Sequence, residues 1–263
     1  MEIRSLGYRT DLFFPKFEGI IQDRGEYLVI RTPSNPGFFW GNYLLFASPP
    51  AKGDLERWSV LFDQEISARQ ETHHMVFGWD SLEGEVGEIQ PFLDAGFQLA
   101  ENVVLAAEQV TPPPKVNKEV VIRPLVKDWE WDAALTMQVA CRDEVHEEGP
   151  YRTYIESKFG RYRQMQHAGL GHWFGAFLGE RIVADLGLFV MDGIGRFQSV
   201  ETDPAFRRRG ICGTLVYQAA RFGLEQMDAR TLVMLADEHY HAARIYESVG
   251  FRPVERQRGL ERW

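Results

Sequence analysis

The stretch that decides the fold is TDPAFRRRGICGTLV, residues 202–216. It follows an apolar run, stiffens the exit of a strand with a proline, and passes through arginines and glycines into a helix. Backbone N–H groups at a helix N-terminus lack intrahelical partners, and the helix dipole favours anions there. Two glycines allow close approach of main chain to a ligand, and three arginines add charged donors. The stretch therefore predicts a pyrophosphate cradle, and the alternative is a surface loop of solvated arginines.

The segments on either side of this loop alternate between strand-like and helical patterns. The predicted order is β-α-α-β-β-β-α-β-α-β, which indicates an α/β layered domain with a mixed, mostly antiparallel sheet flanked by helices. Gly250 follows the last helix as a left-handed cap. The predicted strands are 119–125, 172–178, 182–190, 197–202 and 231–236, and the predicted helices are about 129–140, 151–166, 212–226 and 241–249.

The front half of the chain repeats the tail of this pattern. Pro50 and Gly96 stand 46 residues apart, as Pro204 and Gly250 do, and each glycine is followed by phenylalanine. This agreement predicts a diverged internal duplication. Residues 1–40 are too short for the first two helices, so the front copy is expected to be truncated. Three consecutive prolines mark a stiff linker, and the predicted domains are 1–111 and 119–263, joined by a linker at 112–118.

Composition excludes several classes of protein. The 263 residues are 44% hydrophobic and 25% charged, as in ordinary globular domains. Net charge is −9, and residues 1–114 hold 8 Lys and Arg against 17 Asp and Glu, which argues against nucleic-acid binding. Two cysteines, no signal peptide and no membrane-length apolar run predict a cytoplasmic protein that does not engage a membrane.

Two motifs of the back half resemble a known family. Arg207-x-x-Gly210-x-Cys212 resembles the R/Q-x-x-G-x-G/A signature of the GNAT superfamily, the acetyl-CoA-dependent N-acetyltransferases. The run from Ala243 to Phe251 is similar to the A-x-x-x-Y-x-x-x-G-F closing helix of that family. Cys212 replaces the second small residue, and Tyr240 stands where an asparagine is usual. Together the motifs identify residues 119–263 as a GNAT-like domain, with a degenerate GNAT-like half before it.

The resemblance implies direct transfer of an acetyl group from acetyl-CoA to an amine, without an acyl-enzyme. It also implies that the fourth and fifth strands splay apart at a bulge, where the strand edge at 199–202 pairs with the pantetheine arm and a backbone N–H stabilises the developing oxyanion. The cofactor-binding residues so implied are Val200, Thr202, Arg207, Arg208, Arg209, Gly210, Ile211, Cys212, Gly213 and Thr214.

Two side chains are candidates for proton transfer. Tyr246 stands at the general-acid position of the family, and a phenol of pKa ~10 suits a thiolate leaving group of pKa ~8.5; the alternative is a core aromatic. Glu201 is the first candidate for general base, although strand alternation leaves open that it points away. Weaker candidates are His172, Asp185 and His239. The acidic run at 143–148 either attracts a cationic amine or is a solvated loop.

The front copy has a different chemistry. A shift of 154 residues places Leu55 and Glu56 opposite Arg209 and Gly210, and Phe92 opposite Tyr246. A loop that has lost its arginines and gained acids binds pyrophosphate poorly, so this half is expected to be a structural or substrate-shaping unit.

The remaining expectations concern partners. Histidine, cysteine and carboxylate spacings predict no metal site. The partners expected are acetyl-CoA and a small amine or peptide amine, with a homodimer left open. The alternative to an enzyme is a non-catalytic acyl-CoA-binding or interaction module on the same fold.

Overall fold

The computed structural model describes residues 1–143, 145–238 and 242–263, and the chain forms two compact units. The first unit contains Met1–Val104 and Val254–Trp263, and the second contains Leu105–Pro253. The chain therefore leaves the first unit once and returns to it once. The domain bounds expected from the three prolines stay a prediction; the residues at 112–118 lie within the second unit.

The first unit is built from short elements. Two helices and a β-hairpin precede the strand–helix–strand–helix–strand order that the sequence predicts. The elements are α1 (Leu6–Asp11), α2 (Phe13–Phe17), β1 (Ile20–Asp23), β2 (Tyr27–Arg31), β3 (Tyr43–Phe46), α3 (Asp54–Phe62), β4 (Met75–Trp79), α4 (Gln90–Asp94) and β5 (Gln98–Ala107), whose last three residues belong to the second unit.

The second unit follows the predicted order as far as its last helix, and most of the final predicted strand belongs to the first unit instead. Its elements are β6 (Val121–Pro124), α5 (Asp128–Ala140), α6 (Glu148–His167), β7 (Gly171–Leu178), β8 (Arg181–Met191), β9 (Ile194–Thr202), α7 (Ile211–Gln226), β10 (Thr231–Asp237) and α8 (Ala242–Glu247). The strand order is β10-β9-β8-β7-β6, with β9 and β10 parallel and the other pairs antiparallel. The predicted mixed, mostly antiparallel sheet with flanking helices is confirmed. The predicted start of the last helix, at 239–241, lies outside the described residues.

The final strand, β11 (Arg252–Arg262), completes the sheet of the first unit. Its residues from Gly259 to Arg262 pair antiparallel with Gly78 to Met75 of β4. Leu260 is fully buried in a core that also contains Trp58, stacked on Phe46 with ring centroids 3.8 Å apart. The C-terminal strand is thus a structural part of the N-terminal unit.

Residues 1–40 differ from the expectation that they are too short for two helices. They form α1 and α2, of six and five residues, and then the β1–β2 hairpin. Helices of fewer than two turns show no 3.6-residue periodicity, so the apolar pattern did not indicate them. The corresponding helices of the second unit, α5 and α6, have 13 and 20 residues. The front copy is therefore shortened in these helices but does not lack them.

The expected register between the two halves is wrong at the start of the long helix. Gly53 and Gly210 are the N-cap residues of α3 and α7, with φ of 89° and 78°. Gly210 therefore corresponds to Gly53, and not to Glu56, because the front loop is three residues shorter. The shift of 154 residues does hold at the closing helix, where Phe92 and Tyr246 each precede the capping glycine by four residues.

Candidate active site

The turn between β9 and α7 has the geometry of an anion cradle. Asp203 caps a 3₁₀ turn at Pro204–Phe206, its Oδ1 accepting the N–H of Ala205 at 2.9 Å. Arg208 and Gly210 then adopt positive φ of 62° and 78°, and α7 begins at Ile211. The N–H groups of its first turn have no carbonyl within the helix to bind. A helix of 16 residues thus presents its positive end at this turn.

Residues 113–117, which we call the strap, lie over this turn. Lys115 Nζ donates to the carbonyl of Arg208 at 2.9 Å, and Asn117 Nδ2 donates to that of Arg209 at 3.1 Å. A Cβ at Gly210 would lie 2.4 Å from the Lys115 carbonyl oxygen, so glycine is required by contact as well as by φ. The sequence predicted only a linker here, because prolines indicate that the backbone is stiff but not which residues it contacts.

A cavity of about 800 Å³ opens beside the turn. The strap, β9, the first turn of α7 and α8 line it. Of the residues expected at the site, the lining includes Val200, Glu201, Thr202, Arg207, Arg208, Gly210, Ile211, Cys212, Gly213 and Tyr246. The structure thus brings ten of the expected residues to one cavity.

Arg209 and Thr214 are not among the lining residues. Thr214 is fully buried, and its hydroxyl donates to the Gly210 carbonyl at 2.7 Å and accepts the N–H of Asn117 at 2.9 Å. Arg209 folds back along the loop, where Nη2 donates to the Ala205 carbonyl at 3.3 Å. Thr214 therefore holds the strap to the helix, and Arg209 stabilises the loop.

The open edge of β9 results from a bulge and a splay. Gly187 pairs with Gln198, but Asp185 pairs with Glu201, so β9 carries one extra residue between these pairs. Ser199 within the bulge has φ of 45°, which is rare for a residue with a side chain. Among the described residues, pairing of β9 with β10 ends at Arg196 and Val233. On the side away from β8, residues 200–202 consequently line the cavity and are not among the residues that pair with β10.

Hydrogen bonds from a glutamine of α5 hold the bulge in place. Gln138 of α5 donates from Nε2 to the Ser199 carbonyl at 2.9 Å and to Asp185 Oδ1 at 2.6 Å. Asp185 is fully buried, and burial raises the pKa of its carboxyl well above the usual range. This weaker base candidate lies in the core beneath the bulge and is not a lining residue of the cavity.

Glu201 has the ionisation behaviour of a base that works near neutrality. Burial raises the pKa of its carboxyl to about 7, against the opposing attraction of Arg207 and Lys158. Its side chain lines the cavity, so strand alternation, widened by the bulge, directs it inward. The chain thus places a partly protonated carboxylate beside the open strand edge.

Tyr246 enters the cavity from α8. It is 6% exposed, and Phe251, five residues after it along the predicted Y-x-x-x-G-F motif, packs at 5.8 Å against Phe197. The N–H of Phe251 closes the helix on the Tyr246 carbonyl at 3.2 Å. The motif therefore anchors the tyrosine main chain while its side chain reaches the cavity wall.

Both cysteines line the cavity as thiols. Burial raises the pKa of Cys141 to about 12 and that of Cys212 to about 11. A thiol with such a pKa contains little thiolate at neutral pH and is a weak nucleophile. Neither cysteine has the electrostatics of an acyl-accepting residue.

The remaining candidates are two histidines and the acidic run at 143–148. Burial lowers the pKa of His172, whose ring packs on Phe174 and Phe222 and does not line the cavity. His239, Tyr240 and Glu144 lie outside the described residues. Of the acidic run, Glu148 forms ion pairs with Arg142 at 3.5 Å and Arg152 at 3.4 Å.

Within the described residues, no three His, Cys, Asp or Glu side chains are grouped so that they could hold a metal ion. The described helices include none that is long and apolar enough to cross a membrane.

Comparison with known proteins agrees with this geometry. Residues 128–251 match the acetyltransferase (GNAT) family. No curated protein sequence matches the chain.

Solved structures resemble the chain over most of its length. A conserved protein of unknown function from Staphylococcus epidermidis superimposes with a TM-score of 0.73 at 13% identity, covering 94% of each chain. A GCN5-related N-acetyltransferase from Kribbella flavida gives 0.67 at 14% identity, covering 98% of this chain and 95% of the other. A tandem GNAT protein from the clavulanic acid biosynthesis pathway gives 0.57 at 10% identity, covering 96% and 86%. Residues 128–251 are therefore a GNAT acetyltransferase domain, a fold that supports acyl transfer, and the N-terminal half of the chain is GNAT-like by structure.

Proposed function

We propose that the chain is an N-acetyltransferase that moves the acetyl group of acetyl-CoA to a primary amine by direct attack in a ternary complex. The observation that carries the proposal is the meeting of an open strand edge, a helix N-terminus, Glu201 and Tyr246 at one cavity. Bound acetyl-CoA supplies an activated thioester carbonyl.

The turn before α7 is suited to a diphosphate. The free amides of the first turn and the positive helix end favour an anion, and Arg207 and Arg208 add positive charge at the cavity wall. Gly210 and Gly213 keep side chains out of the cradle; a Cβ at Gly213 would lie 3.1 Å from Pro113 Cβ. The open edge of β9 then pairs with the amide-bearing arm, and the Val200 N–H donates to the thioester carbonyl oxygen.

Two side chains move the protons. Glu201 takes a proton from the acceptor ammonium, so that the neutral amine nitrogen attacks the thioester carbon. As the C–N bond forms and the C–S bond breaks, Tyr246 donates its proton to the departing sulfur. The attacking nitrogen then releases its extra proton to the Tyr246 phenolate, which restores the phenol and leaves a neutral amide. The raised pKa values of Cys141 and Cys212 favour this direct attack over a route through an acyl-enzyme. Holding amine and thioester together contributes most, up to about 7–11 kcal/mol in well-aligned systems.

The N-terminal unit binds no acetyl-CoA in this proposal. At the start of α3, Asp54 Oδ2 accepts the N–H of Ala51 at 2.8 Å, and Arg57 Nε donates to its Oδ1 at 2.8 Å. This carboxylate adds negative charge at the start of α3 and so disfavours an anion there. Phe92 has no hydroxyl to supply the proton that Tyr246 supplies in the second unit. This half shapes or supports the catalytic unit.

The experiment is a screen of amines for acetyl-CoA-dependent thiol release, paired with calorimetry of acetyl-CoA binding. We expect binding, and release above background with at least one amine class. Binding without release from any amine would favour an acyl-CoA-binding module, and absence of binding would refute the cradle. A cytoplasmic location and a homodimer stay predictions.

Replacing the proton donor tests the mechanism directly. We expect Tyr246→Phe to lower turnover at least tenfold, because general acid catalysis is worth ~10²–10⁴-fold, while acetyl-CoA affinity stays within about twofold. Steady-state kinetics and calorimetry measure the two quantities. Tyr217→Phe, a tyrosine of α7 that does not line the cavity, is the matched control. Unchanged turnover in Tyr246→Phe removes this residue from the chemistry.

A further inference from the structure

A single glutamine of α5 connects two strands of the sheet. Gln138 is 3% exposed, and its Nε2 donates to the Ser199 carbonyl of β9 at 2.9 Å and to Asp185 Oδ1 of β8 at 2.6 Å. Both partners are acceptors, so together they use both hydrogens of the amide nitrogen and fix which end of the amide faces the sheet. The helix is therefore tied to the strand that carries Glu201.

The contact falls on a residue whose conformation needs support. Ser199 has φ of 45°, which is unfavourable for a residue with a Cβ and persists only where the surroundings hold it. Its carbonyl accepts from Gln138, and its hydroxyl accepts from Lys158 Nζ at 3.4 Å. Val200 and Glu201, the next two residues, both line the cavity. What holds Ser199 thus governs the direction of the next two residues.

Asp185 supports the glutamine from the neighbouring strand. It is fully buried and pairs directly with Glu201 across β8 and β9. Burial raises the pKa of its carboxyl well above the usual range, the bond from Gln138 opposes this, and the charge of Glu201 raises the pKa further. The thiol of Cys141 on α5, which interacts with Asp185, has a pKa of about 12 and is neutral at pH 7. Asp185 consequently stays an uncharged acceptor for Gln138 while Glu201 ionises.

The place of these two polar side chains distinguishes them from ordinary core residues. Burying an amide and a carboxyl costs free energy that an apolar core avoids, and their hydrogen bonds offset this cost. Gln138 and Asp185 are buried beside the bulge of β9, where regular pairing with β8 is interrupted. Their hydrogen bonds therefore fix the irregular backbone from which the candidate base projects.

We propose that Gln138 and Asp185 are positioning residues: Asp185 orients the amide of Gln138, and Gln138 holds the Ser199 bulge so that Glu201 and the Val200 N–H point at the thioester. This role rests on the proposed N-acetyltransferase function and adds two residues that do not line the cavity. They touch no reacting atom, so they act on turnover through geometry alone.

Gln138→Glu tests this role because it keeps the shape of the side chain but supplies at most one proton for two acceptors. We expect kcat for the best amine to fall about 10–100-fold, with acetyl-CoA affinity within about threefold because the turn before α7 is unchanged. Amide hydrogen exchange at 198–202 should rise as the bulge loosens. Gln166→Glu is the matched control: this glutamine of α6 donates to the Leu125 carbonyl at 2.7 Å and accepts the Trp173 N–H at 2.8 Å, away from the cavity. Its kcat should stay within about twofold.

Substitutions of Asp185 separate positioning from proton transfer. Asp185→Ala removes the acceptor and should lower kcat as Gln138→Glu does. Asp185→Asn should restore most of this loss and keep the acid limb near pH 7, because asparagine offers an uncharged acceptor in the same place. A base at this position would lose its activity in the asparagine variant. A merely structural residue would lower stability without changing kcat of the folded enzyme or exchange at 198–202.

The outcomes keep the two proposals apart. Thiol release by the unmodified protein, with unchanged kcat in Gln138→Glu, overturns the positioning role and leaves the acetyltransferase intact. An unmodified protein that acetylates no amine overturns the acetyltransferase and with it the catalytic part of this role; unchanged exchange at 198–202 in Gln138→Glu would also remove Gln138 as the support of the bulge. Should Gln138→Glu fail to fold, as judged by circular dichroism, Asp185→Asn decides, since a lasting loss of kcat in that variant overturns the role.

Discussion

At the scale of single residues, the ionisation of Glu201 links the fold to pH. Burial shifts the pKa of this carboxyl from its ordinary value near 4.5 to about 7, and two neighbouring cations limit the shift. A general base is most effective when its pKa lies near the working pH. Burial at the bulge raises this pKa, and the positive charges of Arg207 and Lys158 lower it.

We predict that kcat/KM rises with pH through about 7, because only ionised Glu201 accepts the proton of the amine. Glu201→Gln should lower kcat/KM by about 10²–10⁴-fold and abolish this acid limb. A pH–rate profile from 5.5 to 9, with acetyl-CoA affinity as the control, measures both effects. Retention of the acid limb in the variant would assign the titration to another group.

Ionisation of the Glu201 carboxyl also lowers the free energy of unfolding. Because its folded-state pKa is raised, the folded state holds the proton more tightly, and this contribution to stability is complete below about pH 4.5 and lost as the pH rises through about 7. Buried active-site carboxylates commonly have such a cost.

The sequence predicts which residues belong to the candidate site better than it predicts the direction in which their side chains point. The sequence pointed to Glu201 and Tyr246 through their place in a strand and in a motif, but alternation alone did not settle which way Glu201 faces. In the structure Glu201 lines the cavity, and β9 carries one extra residue just before it. The sequence did not identify Lys158 as a neighbour of Glu201, because a lysine on a helix resembles any solvated surface charge. Only the fold brings it to the bulge.

At the scale of elements, the strap and the first turn of α7 act together. The strap carbonyl at Lys115 lies where a side chain at Gly210 would project, and Asn117 and Thr214 bind across the same contact. The anion cradle is thus shaped by two segments that are about 90 residues apart in the sequence.

We predict that Gly210→Ala weakens acetyl-CoA binding at least tenfold and lowers the free energy of unfolding by about 1–2 kcal/mol, the cost of a left-handed residue with a Cβ. Gly160→Ala is the matched control, since Gly160 lies in α6 with open space around its Cα, and alanine there should stabilise the helix by up to about 1 kcal/mol. Calorimetry and urea unfolding give the two quantities. Normal affinity in Gly210→Ala would contradict the cradle.

The long helices of the second unit were predictable, whereas the two short helices at the start of the first unit were not. The three long helices of the second unit, α5, α6 and α7, lie where the sequence predicts helices, and its strands end at turn residues such as Gly179 and Gly193, both with positive φ. The bulge and the splay of β9 from β10 followed only from the family resemblance, because no local pattern encodes where two strands part.

At the scale of the whole molecule, the first unit contains two separate segments of the chain, Met1–Val104 and Val254–Trp263. The last ten residues supply β11 to the first unit, where Tyr8 Oη donates to the Arg258 carbonyl and Trp40 Nε1 donates to Glu261 at 2.9 Å. The predicted order of the back half ends in a strand, but local periodicity does not indicate which sheet that strand joins. Pairing partners that are more than 180 residues apart leave no trace in local periodicity.

We predict that a chain ending at residue 253 loses the fold of the first unit. Leu260→Ala should cost about 2–5 kcal/mol of stability, since it empties a fully buried site. Val254→Ala, at a position 51% exposed on the same strand, should change stability by less than about 0.5 kcal/mol. Urea unfolding of the substituted chains and limited proteolysis of the shortened one provide the measurements. A shortened chain that still protects residues 1–104 would show that β11 is dispensable.

The return of β11 to the first unit has a consequence for biosynthesis. Residues 1–104 are synthesised before residues 254–263, so their sheet stays open at β4 until β11 has been translated. The second unit has all its strands available earlier. The half made first is therefore the half finished last, and during synthesis the exposed edge of β4 is a target for chaperones and for pairing between nascent chains.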